Sequence, residues 1–272
     1  MHNSILAVII VYHPDVDLLR RNINAIIGSV DRVLIWNNSP TEFKETDSQI
    51  ENEKIVFLSE GDNIGISKAL NIAWAYAQNN RYDYMLTMDQ DSVWINFDGF
   101  LKKVFAFNDI NNIFGPEYEF LESDNFREDE YRITSGMFLP TSILNNIGGY
   151  CEEFMVDGID VELCYRARTH GYRVFNVSGS TLEHHPGSHI ECNFLNIKFV
   201  SDGYSPFRIY GIIRNHMMIF KKYKVGFRPF YYTLKHYYIM MPIKILLGER
   251  NKKEKLTAYL KGFYDGLKNT IK

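Results

Sequence analysis

Cysteine is scarce in this sequence, and the three cysteines stand far apart. Cys151, Cys164 and Cys192 form no CxxC pair. This spacing argues against a disulfide scaffold and against a zinc module built from several cysteines. A reducing compartment fits such a cysteine content best.

Long hydrophobic runs are also lacking. The apolar run at residues 5–11 is too short for a signal-peptide core or a membrane span, and no basic segment precedes it, so we expect no signal peptide. The longest apolar stretch, at residues 237–247, contains Pro242 and Lys244. It is too short and too polar to cross a bilayer, although it could lie on one.

Three common active-site motifs are missing. The sequence contains no GxGxxG, no GxxxxGK[ST] and no GxSxG. Dinucleotide oxidoreductases, P-loop enzymes and α/β-hydrolases therefore lose their main sequence support. A nucleic-acid partner is not expected either.

Apolar and aromatic residues are plentiful, and charge is divided unevenly along the chain. Of 272 residues, 46% are apolar, with 19 Phe and 18 Tyr, which excludes disorder as the main state. Residues 206–272 hold 15 Lys and Arg against 3 Asp and Glu, a local charge of +12, whereas residues 1–205 carry −15. We expect a domain over 1–205 and a basic, aromatic helical region over 206–272, each facing different partners.

Strand and helix patterns alternate over the first 90 residues. Buried strands are predicted at residues 5–12, 32–36, 54–58 and 84–88, with amphipathic helices after the first and third. This alternation predicts an α/β fold with a mostly parallel, doubly wound sheet. Further along, we expect a strand at 133–140, a helix at 159–170, and two tail helices at 209–223 and 230–247.

Polar residues follow several of these strands. Parallel sheets bind ligands beyond the carboxyl ends of their strands, where His13, Asn37, Asn38 and Asn63 are expected. Asn63-x-Gly65 also precedes a helix, whose terminal N–H groups suit a diphosphate.

Asp89-Gln90-Asp91 is the sharpest feature of the sequence. Two carboxylates one residue apart, directly after a buried strand, cannot both point into the core. Hard oxygen ligands suit Mg²⁺ or Mn²⁺. The alternative is a strand-end turn with solvated acids.

Two later groups could also carry chemistry. Asp157 and Asp160 precede or begin a predicted helix, where one could act as a general base, or both could simply cap the helix. His184 and His185 could bind a metal or form a surface turn. A rival interpretation combines one of them with His189 and Cys192 in a zinc site, although the spacing matches no strong zinc signature.

Taken in order, these segments resemble the family 2 glycosyltransferases of the GT-A fold, and within them the bacterial rhamnosyltransferases of surface-polysaccharide assembly. The carrying segments are Val11-Tyr12-His13-Pro14, Asn37-Asn38-Ser39, Asn63-Ile64-Gly65-Ile66, Asp89-Gln90-Asp91-Ser92, Thr134-Ser135-Gly136, Ile147-Gly148-Gly149-Tyr150, residues 157–166, and His184 through Gly187. The resemblance covers about residues 5–190, and a weaker similarity is present at residues 210–215.

The resemblance implies a nucleotide-sugar donor, a divalent cation (Mn²⁺ or Mg²⁺) and an inverting transfer. It assigns the metal to Asp91 with Asp89 and His184, and the base to Asp160. Relatives often carry an acid directly before the base, where this chain has Ile159, so Asp157 could partly substitute. Donor contacts are expected from Tyr12, His13, Asn37, Asn38, Asn63, Gly65, Lys68, Asp89 and Gln90. Acceptor or sugar contacts are expected from Ser135, Gly136 and Arg166.

One departure bears on the donor. The second strand of relatives usually ends in Asp-Asn, and here it ends in Asn37-Asn38. Asn37 can still accept a hydrogen bond from a pyrimidine N3–H, but uracil and thymine present the same edge there. We therefore expect rhamnose from dTDP-rhamnose by subgroup likeness, with UDP-hexose or UDP-galactofuranose as the alternative.

The resemblance also bears on partners and location. The acceptor would be a glycan or a lipid-linked saccharide of a surface polysaccharide such as O antigen. We expect a cytoplasmic protein held peripherally at the inner face of the bacterial plasma membrane, although the tail could instead pack or form a homodimer. The rival class is a catalytically silent protein that binds sugar nucleotides or glycans. Such a protein would not need Asp91, Asp160 or His184, so the presence of all three favours an enzyme.

Overall fold

The computed structural model describes residues 3–40, 52–117, 126–184, 190–224 and 228–271. The strands are β1 (Ile5–Val11), β2 (Arg32–Asn37), β3 (Ile55–Ser59), β4 (Tyr84–Asp89), β5 (Ser92–Ile95), β6 (Ile113–Pro116), β7 (Phe126–Asp129), β8 (Met137–Pro140), β9 (Val174–Val177), β10 (Thr181–His184), β11 (Ile190–Phe194) and β12 (Ile197–Ser201). The helices are α1 (Val16–Ile26), α2 (Ile66–Asn79), α3 (Phe97–Ala106), α4 (Thr141–Ile147), α5 (Ile159–Thr169), α6 (Pro206–Tyr223), α7 (Arg228–Leu234), α8 (Met241–Gly248) and α9 (Lys252–Lys268). A 3₁₀ turn follows α1 at Ile27–Ser29, and a π-helical turn at Lys235–Met240 joins α7 to α8.

An eight-stranded sheet in the order β3-β2-β1-β4-β8-β6-β9-β7 forms the main layer. The first four strands of that order are parallel, and β8 and β7 run antiparallel to their neighbours. β5 and β10 form a separate antiparallel pair, as do β11 and β12. The expected α/β fold with a mostly parallel sheet is confirmed.

The chain divides into two compact units. The first comprises residues 1–152 and 163–185, and the second comprises residues 153–162 and 186–272. The expected boundary at 205/206 differs from this division, because β11, β12 and the segment before α5 group with the tail helices.

The central strand β1 shows why the first unit folds as it does. Six of its seven residues are buried, so both faces of the strand are covered, as in other parallel sheets. The amphipathic helix α1 buries Leu19, Ile23 and Ile26. These residues join one apolar core with the strands and α3.

The strand expected at 133–140 is shorter, since β8 begins at Met137. Ser135 and Gly136 form the turn that precedes it. Gly136 has φ +81°, and a Cβ at this position would lie 2.9 Å from Leu182 Cδ1. Both the left-handed backbone and the close packing require glycine here.

The tail contains three helical segments rather than two, because α9 was not expected. Its sequence is rich in lysine and has no strong apolar stripe. Gly262 and Gly266, one turn apart, let α9 approach α6 closely. A Cβ on Gly262 would lie 2.7 Å from Tyr210 O, and one on Gly266 would lie 2.7 Å from Met217 Cβ. None of the helices over the described ranges is both long and apolar enough to cross a membrane.

Candidate active site

The carboxyl ends of the parallel strands lie in register at one edge of the sheet. Val11 at the end of β1 pairs with Asn37 at the end of β2, and Asn37 in turn pairs with Ser59 at the end of β3. On the other side of β1, Ile10 pairs with Asp89 at the end of β4. The residues predicted to bind the donor after β1, β2 and β4 are therefore brought together at one edge of the first unit.

Gln90 ties the end of β4 to the segment after β1. Its Oε1 accepts the Tyr12 backbone N–H at 2.7 Å, and its Nε2 donates to Tyr12 O at 3.2 Å. The exposed Tyr12 ring contacts His13 edge to face, with ring centroids 4.4 Å apart. Gln90 was predicted to contact the donor, and the structure shows that it fixes the backbone carrying two other predicted donor residues.

Asn37 and Asn38 are both 2% exposed and use their amides within the turn after β2. Asn37 Oδ1 accepts the Ser39 N–H at 2.8 Å. Asn38 Oδ1 accepts the Trp36 Nε1–H at 2.9 Å. The Asn37 amide oxygen thus accepts a backbone hydrogen bond within its own turn.

The two carboxylates of the D-x-D segment differ in their setting. Asp89 is the last residue of β4, while Asp91 lies in the turn leading to β5, and both are half-buried. The Asp89 backbone is fixed on both sides, since its N–H donates to Ser135 Oγ at 3.4 Å and its carbonyl accepts from Asn22 Nδ2 at 2.7 Å. The edge thus presents two carboxylates on a held backbone.

β10 brings His184 next to this segment. β10 pairs antiparallel with β5, and His184 lies opposite Ser92, the residue after Asp91. The His184 side chain, like residues 185–189, lies outside the described part of the structure. Among the side chains that are described, no three His, Cys, Asp or Glu residues are grouped to hold an ion. Carboxylate oxygens and an imidazole nitrogen are the kinds of donor that Mn²⁺ accepts, so the residue types at this edge fit the predicted ion.

The rival zinc interpretation falls largely on residues that are not described, His185 and His189. Cys192, its third member, is described. It is buried, and a Cβ at Gly248 of α8 would lie 2.4 Å from Cys192 Cβ. The Cys192 side chain therefore lies against the end of α8.

The expected diphosphate site lies at the start of α2. Asn63 Oδ1 accepts the Gly65 N–H at 3.0 Å, and Gly65 has φ +84° at the N-cap. Lys68, in the first turn, is exposed and lies 3.6 Å from the Glu60 carboxylate. The N-terminus of α2, a helix of 14 residues, thus presents backbone N–H groups, Gly65 and the ammonium group of Lys68.

Ser135 and Gly136 lie beside the D-x-D segment, whereas Arg166 is occupied elsewhere. Ser135 Oγ accepts from the Asp89 N–H, and the Gly136 N–H donates to Thr87 O at 2.8 Å. Arg166 donates through Nη1 to Ile147 O at 2.5 Å and through Nη2 to Gly149 O at 2.7 Å. These bonds tie α5 to the glycine turn after α4.

The second acidic pair belongs to the second unit. Asp160 lies in the first turn of α5, is half-buried, and accepts the Val161 N–H through Oδ1 at 2.8 Å. Asp157 has φ +57° and is held by Arg208, with Nη2 2.6 Å from Oδ1 and Nε 3.2 Å from Oδ2. The hydrogen bonds that Arg208 donates to the Asp157 carboxylate raise the pKa of Arg208. Ile159, between them, is buried.

The support given by Asn22, and the contact that Ser39 makes with His13, were not predicted from the sequence. Asn22 is fully buried on the apolar face of α1, and its amide supports the Asp89 carbonyl. A lone asparagine between Leu19 and Ile23 on that face was the available signal. Ser39 Oγ accepts the His13 N–H at 2.7 Å, a contact between distant segments that no local pattern reveals.

No protein-family model matches the chain. A dTDP-rhamnosyl transferase, RfbF, from Shigella flexneri is 26% identical over 98% of the chain and 97% of its own length. A crystal structure of GalNAc-T7 with UDP, GalNAc and Mn²⁺ overlaps with a TM-score of 0.62 at 12% identity. The overlap covers 98% of this chain and 56% of that one. A structure of S. aureus TarS gives a TM-score of 0.49 at 11% identity, covering 98% of this chain and 44% of that one, which is too low to establish a shared fold. Over nearly its whole length the chain is thus similar in sequence to a dTDP-rhamnosyl transferase, and it shares its fold with part of GalNAc-T7.

Proposed function

We propose that the chain transfers rhamnose from dTDP-rhamnose to a glycan or lipid-linked saccharide acceptor in the assembly of a surface polysaccharide. The observation that carries this proposal is the 26% identity with a dTDP-rhamnosyl transferase over nearly the full length of both proteins. Similarity over 98% of the chain includes both the sheet edge and the Asp160 helix.

The donor would be bound by the polar edge of the first unit. Backbone N–H groups at the start of α2, with Lys68, would neutralise part of the diphosphate charge. The turn that contains Asn37 would contact the pyrimidine. Tyr12 directly follows β1 at the same edge of the sheet, and its ring, which is 50% exposed, would offer an aromatic face. None of these groups distinguishes thymine from uracil, so UDP-hexose and UDP-galactofuranose remain the alternative donors.

The donor set at the end of β4 fits a divalent cation. Asp91 and Asp89 would hold Mn²⁺ or Mg²⁺, with His184 as a further ligand. When bound, such an ion supplies positive charge against the diphosphate leaving group. The bonds from Asn22 and Ser135 to the Asp89 backbone would keep this segment fixed during the reaction.

Asp160 would act as the general base of a single inverting displacement. Its carboxylate would remove the proton from the acceptor hydroxyl as the hydroxyl oxygen attacks the anomeric carbon, and the nucleoside diphosphate would depart. Asp160 is the preferred candidate because it stands at the position of the base in the family that the chain resembles, and the Asp157 carboxylate is paired with Arg208. Ser135 and Gly136 would lie near the sugar or acceptor, and Arg166 would act there only through the glycine turn after α4 that it holds.

The tail would attach the enzyme peripherally to the inner face of the plasma membrane. Of the aromatic and apolar cluster at 231–241, Tyr231, Tyr232, Ile239 and Met240 are exposed, while Met241 is buried. Ile239, Ile243 and Leu246 recur at helical spacing and are each about half exposed, with values of 53%, 43% and 53%. With a local charge of +12, this region suits an anionic lipid surface.

A thermal-shift screen tests the donor and the metal together. Wild type, Asp91→Asn and the exposed control Asp17→Asn would be melted with dTDP-rhamnose, UDP-glucose, UDP-galactose and UDP-galactofuranose, each with Mn²⁺ or EDTA. We expect dTDP-rhamnose with Mn²⁺ to give the largest rise in Tm, because a ligand at 100 times its Kd stabilises by about 2.7 kcal/mol. EDTA or Asp91→Asn should remove that rise and abolish transfer.

The same screen can contradict each part separately. A larger shift with a UDP-sugar would replace the proposed donor. Full transfer activity in EDTA would exclude the metal-dependent mechanism. Binding of the donor without any transfer or donor hydrolysis in Mn²⁺ would leave a sugar-nucleotide-binding role.

A further inference from the structure

The loop that leads into α5 has an uncommon backbone. Asp157 (φ +57°) and Gly158 (φ +80°) are consecutive residues in the left-handed region. A non-glycine residue keeps that conformation only where its surroundings hold it. Asp160 follows two residues after Gly158, so whatever holds this loop also sets where α5 begins.

Asn215 of α6 holds the loop through two hydrogen bonds. Its side chain is 1% exposed, and Nδ2 donates to Val156 O at 2.9 Å and to Asp157 O at 2.8 Å. A primary amide is suited to this task because its two N–H groups can serve two successive carbonyls. Removing this side chain would remove both hydrogen bonds.

Arg214 extends the same contact. Its Nη1 lies 3.0 Å from Glu153 O and 3.0 Å from Asn215 Oδ1, donating to both. The amide orientation of Asn215 is therefore fixed, with Oδ1 toward the guanidinium and Nδ2 toward the loop. Arg214 and Asn215 together bind three carbonyls of one five-residue stretch, 153–157.

α6 also holds the chain on the other side of Asp160. Tyr223 donates through its hydroxyl to Glu162 Oε1 at 2.6 Å, and Glu162 is fully buried. Asn215 and Tyr223, eight residues apart, fall close to one face of α6. Asp160 thus lies between two points that a single helix fixes.

We propose that Asn215 is a positioning residue that sets the direction of the Asp160 carboxylate during proton transfer. This inference rests on the proposed function, since it needs Asp160 to be the base. Without Asn215 both carbonyls would lose these hydrogen bonds, the left-handed pair would relax, and the first turn of α5 would shift. Acceptor deprotonation is sensitive to a misplacement of about 1 Å, whereas the residues proposed to bind the donor all belong to the first unit.

A double-mutant cycle tests the proposal in the full-length enzyme. Asn215→Ala, Asp160→Asn and the double variant would be compared with wild type for kcat and donor KM, with exposed Asn193→Ala of the same unit as control. We expect Asn215→Ala to lower kcat at least tenfold while donor KM stays within about twofold. In the Asp160→Asn background the same change should lower the residual rate less than twofold, because no base is left to position.

The kinetic results distinguish a positioning role of Asn215 from a role in folding alone. If Asn215→Ala lowers the rate equally with and without Asp160, its role is general folding and the inference is overturned. If Asp160→Asn keeps the wild-type rate, the proposed base is wrong and the failure lies in the proposed function. Should Asn215→Ala not fold, Arg214→Gln at the half-buried neighbour is expected to give a smaller kcat loss, about threefold, with the same dependence on Asp160. An Arg214→Gln loss that is independent of Asp160 would equally overturn the inference.

Discussion

Arg208 binds both carboxylate oxygens of Asp157, three residues before Asp160 in the chain. The same guanidinium lies 4.6 Å from the centroid of the Tyr204 ring. A forked, charge-assisted pair of this kind engages the oxygen lone pairs that a general base would need for its substrate. The contact therefore distinguishes Asp157, whose carboxylate binds Arg208, from Asp160, which the sequence resemblance marks as the expected base.

Asp160→Asn and Asp157→Asn should differ in their kinetic effects. Asp160→Asn should leave donor affinity near normal and lower turnover by about 10²–10⁴-fold, as expected for a lost general base. Asp157→Asn keeps one acceptor oxygen toward Arg208 and should cost much less. Steady-state kinetics with a saturating acceptor measures both. If Asp157→Asn is the more damaging change, the two roles should be exchanged.

Gln90→Glu should weaken donor binding more than it slows turnover. The substitution removes the N–H that donates to Tyr12 O and places a carboxylate against that carbonyl, so the Tyr12–His13 segment should move. We expect donor KM to rise by up to roughly tenfold, in line with about 0.5–1.5 kcal/mol for a lost hydrogen bond. Gln78→Glu, at an exposed glutamine that donates to Asn145 Oδ1, is the matched control.

The result for Gln90→Glu also tests how this residue acts. An unchanged KM with lowered kcat would show that Gln90 does not act through the Tyr12 segment. An equal rise in KM for Gln78→Glu would assign the effect to added charge on the first unit rather than to the lost hydrogen bond.

Much of the fold follows from local patterns, and the parts that do not follow depend on tertiary contacts. β1 and β4 are continuous buried apolar runs, and the D-x-D segment directly follows one of them, so both could be predicted from the sequence. α9 contains no continuous apolar run of this kind. The role of Gly262 and Gly266 becomes visible only in the structure, where both lie close against α6. The bond from Asn22 to Asp89 joins residues 67 positions apart and follows from the packing of α1 on the sheet.

His216 should make the protein less stable at mildly acidic pH. Burial lowers the pKa of this histidine, although its Nδ1 contact with Ile212 O and the nearby Asp157 charge oppose the shift. The unfolded chain then takes up a proton near pH 6.5 while the folded chain does not, so stability is lost as pH falls below that value. Between pH 7.5 and 5.5, the free energy of unfolding should drop by about 1 kcal/mol more in wild type than in His216→Gln.

Urea unfolding at the two pH values measures this difference. His170→Gln, at an exposed histidine at the end of α5, is the control and should keep the wild-type pH dependence. Identical pH dependence in wild type and His216→Gln would mean that His216 does not remain neutral in the folded protein.

The tail should bind anionic membranes reversibly. Each basic residue near an anionic surface adds roughly 1 kcal/mol at low salt, and exposed aromatic side chains favour the bilayer interface. We expect the wild type to float with anionic liposomes at low salt and to be released from them at high salt. It should not bind neutral liposomes. Ile243→Asp, on the exposed stripe of α8, should weaken flotation. Ile95→Asp, at a 50% exposed isoleucine of the first unit, should not.

Flotation has a clear contrary result. Absence from both liposome fractions at every salt concentration would leave the tail as a packing or dimerisation element whose basic face is simply solvated. Sedimentation of the wild type and Ile243→Asp would then distinguish the two roles, because only a dimer interface at this stripe would be lost in the variant. Flotation that is independent of salt would instead assign membrane binding to the exposed apolar side chains. Leu195, at the tip of the β11–β12 hairpin, is 80% exposed and would be the next residue to substitute.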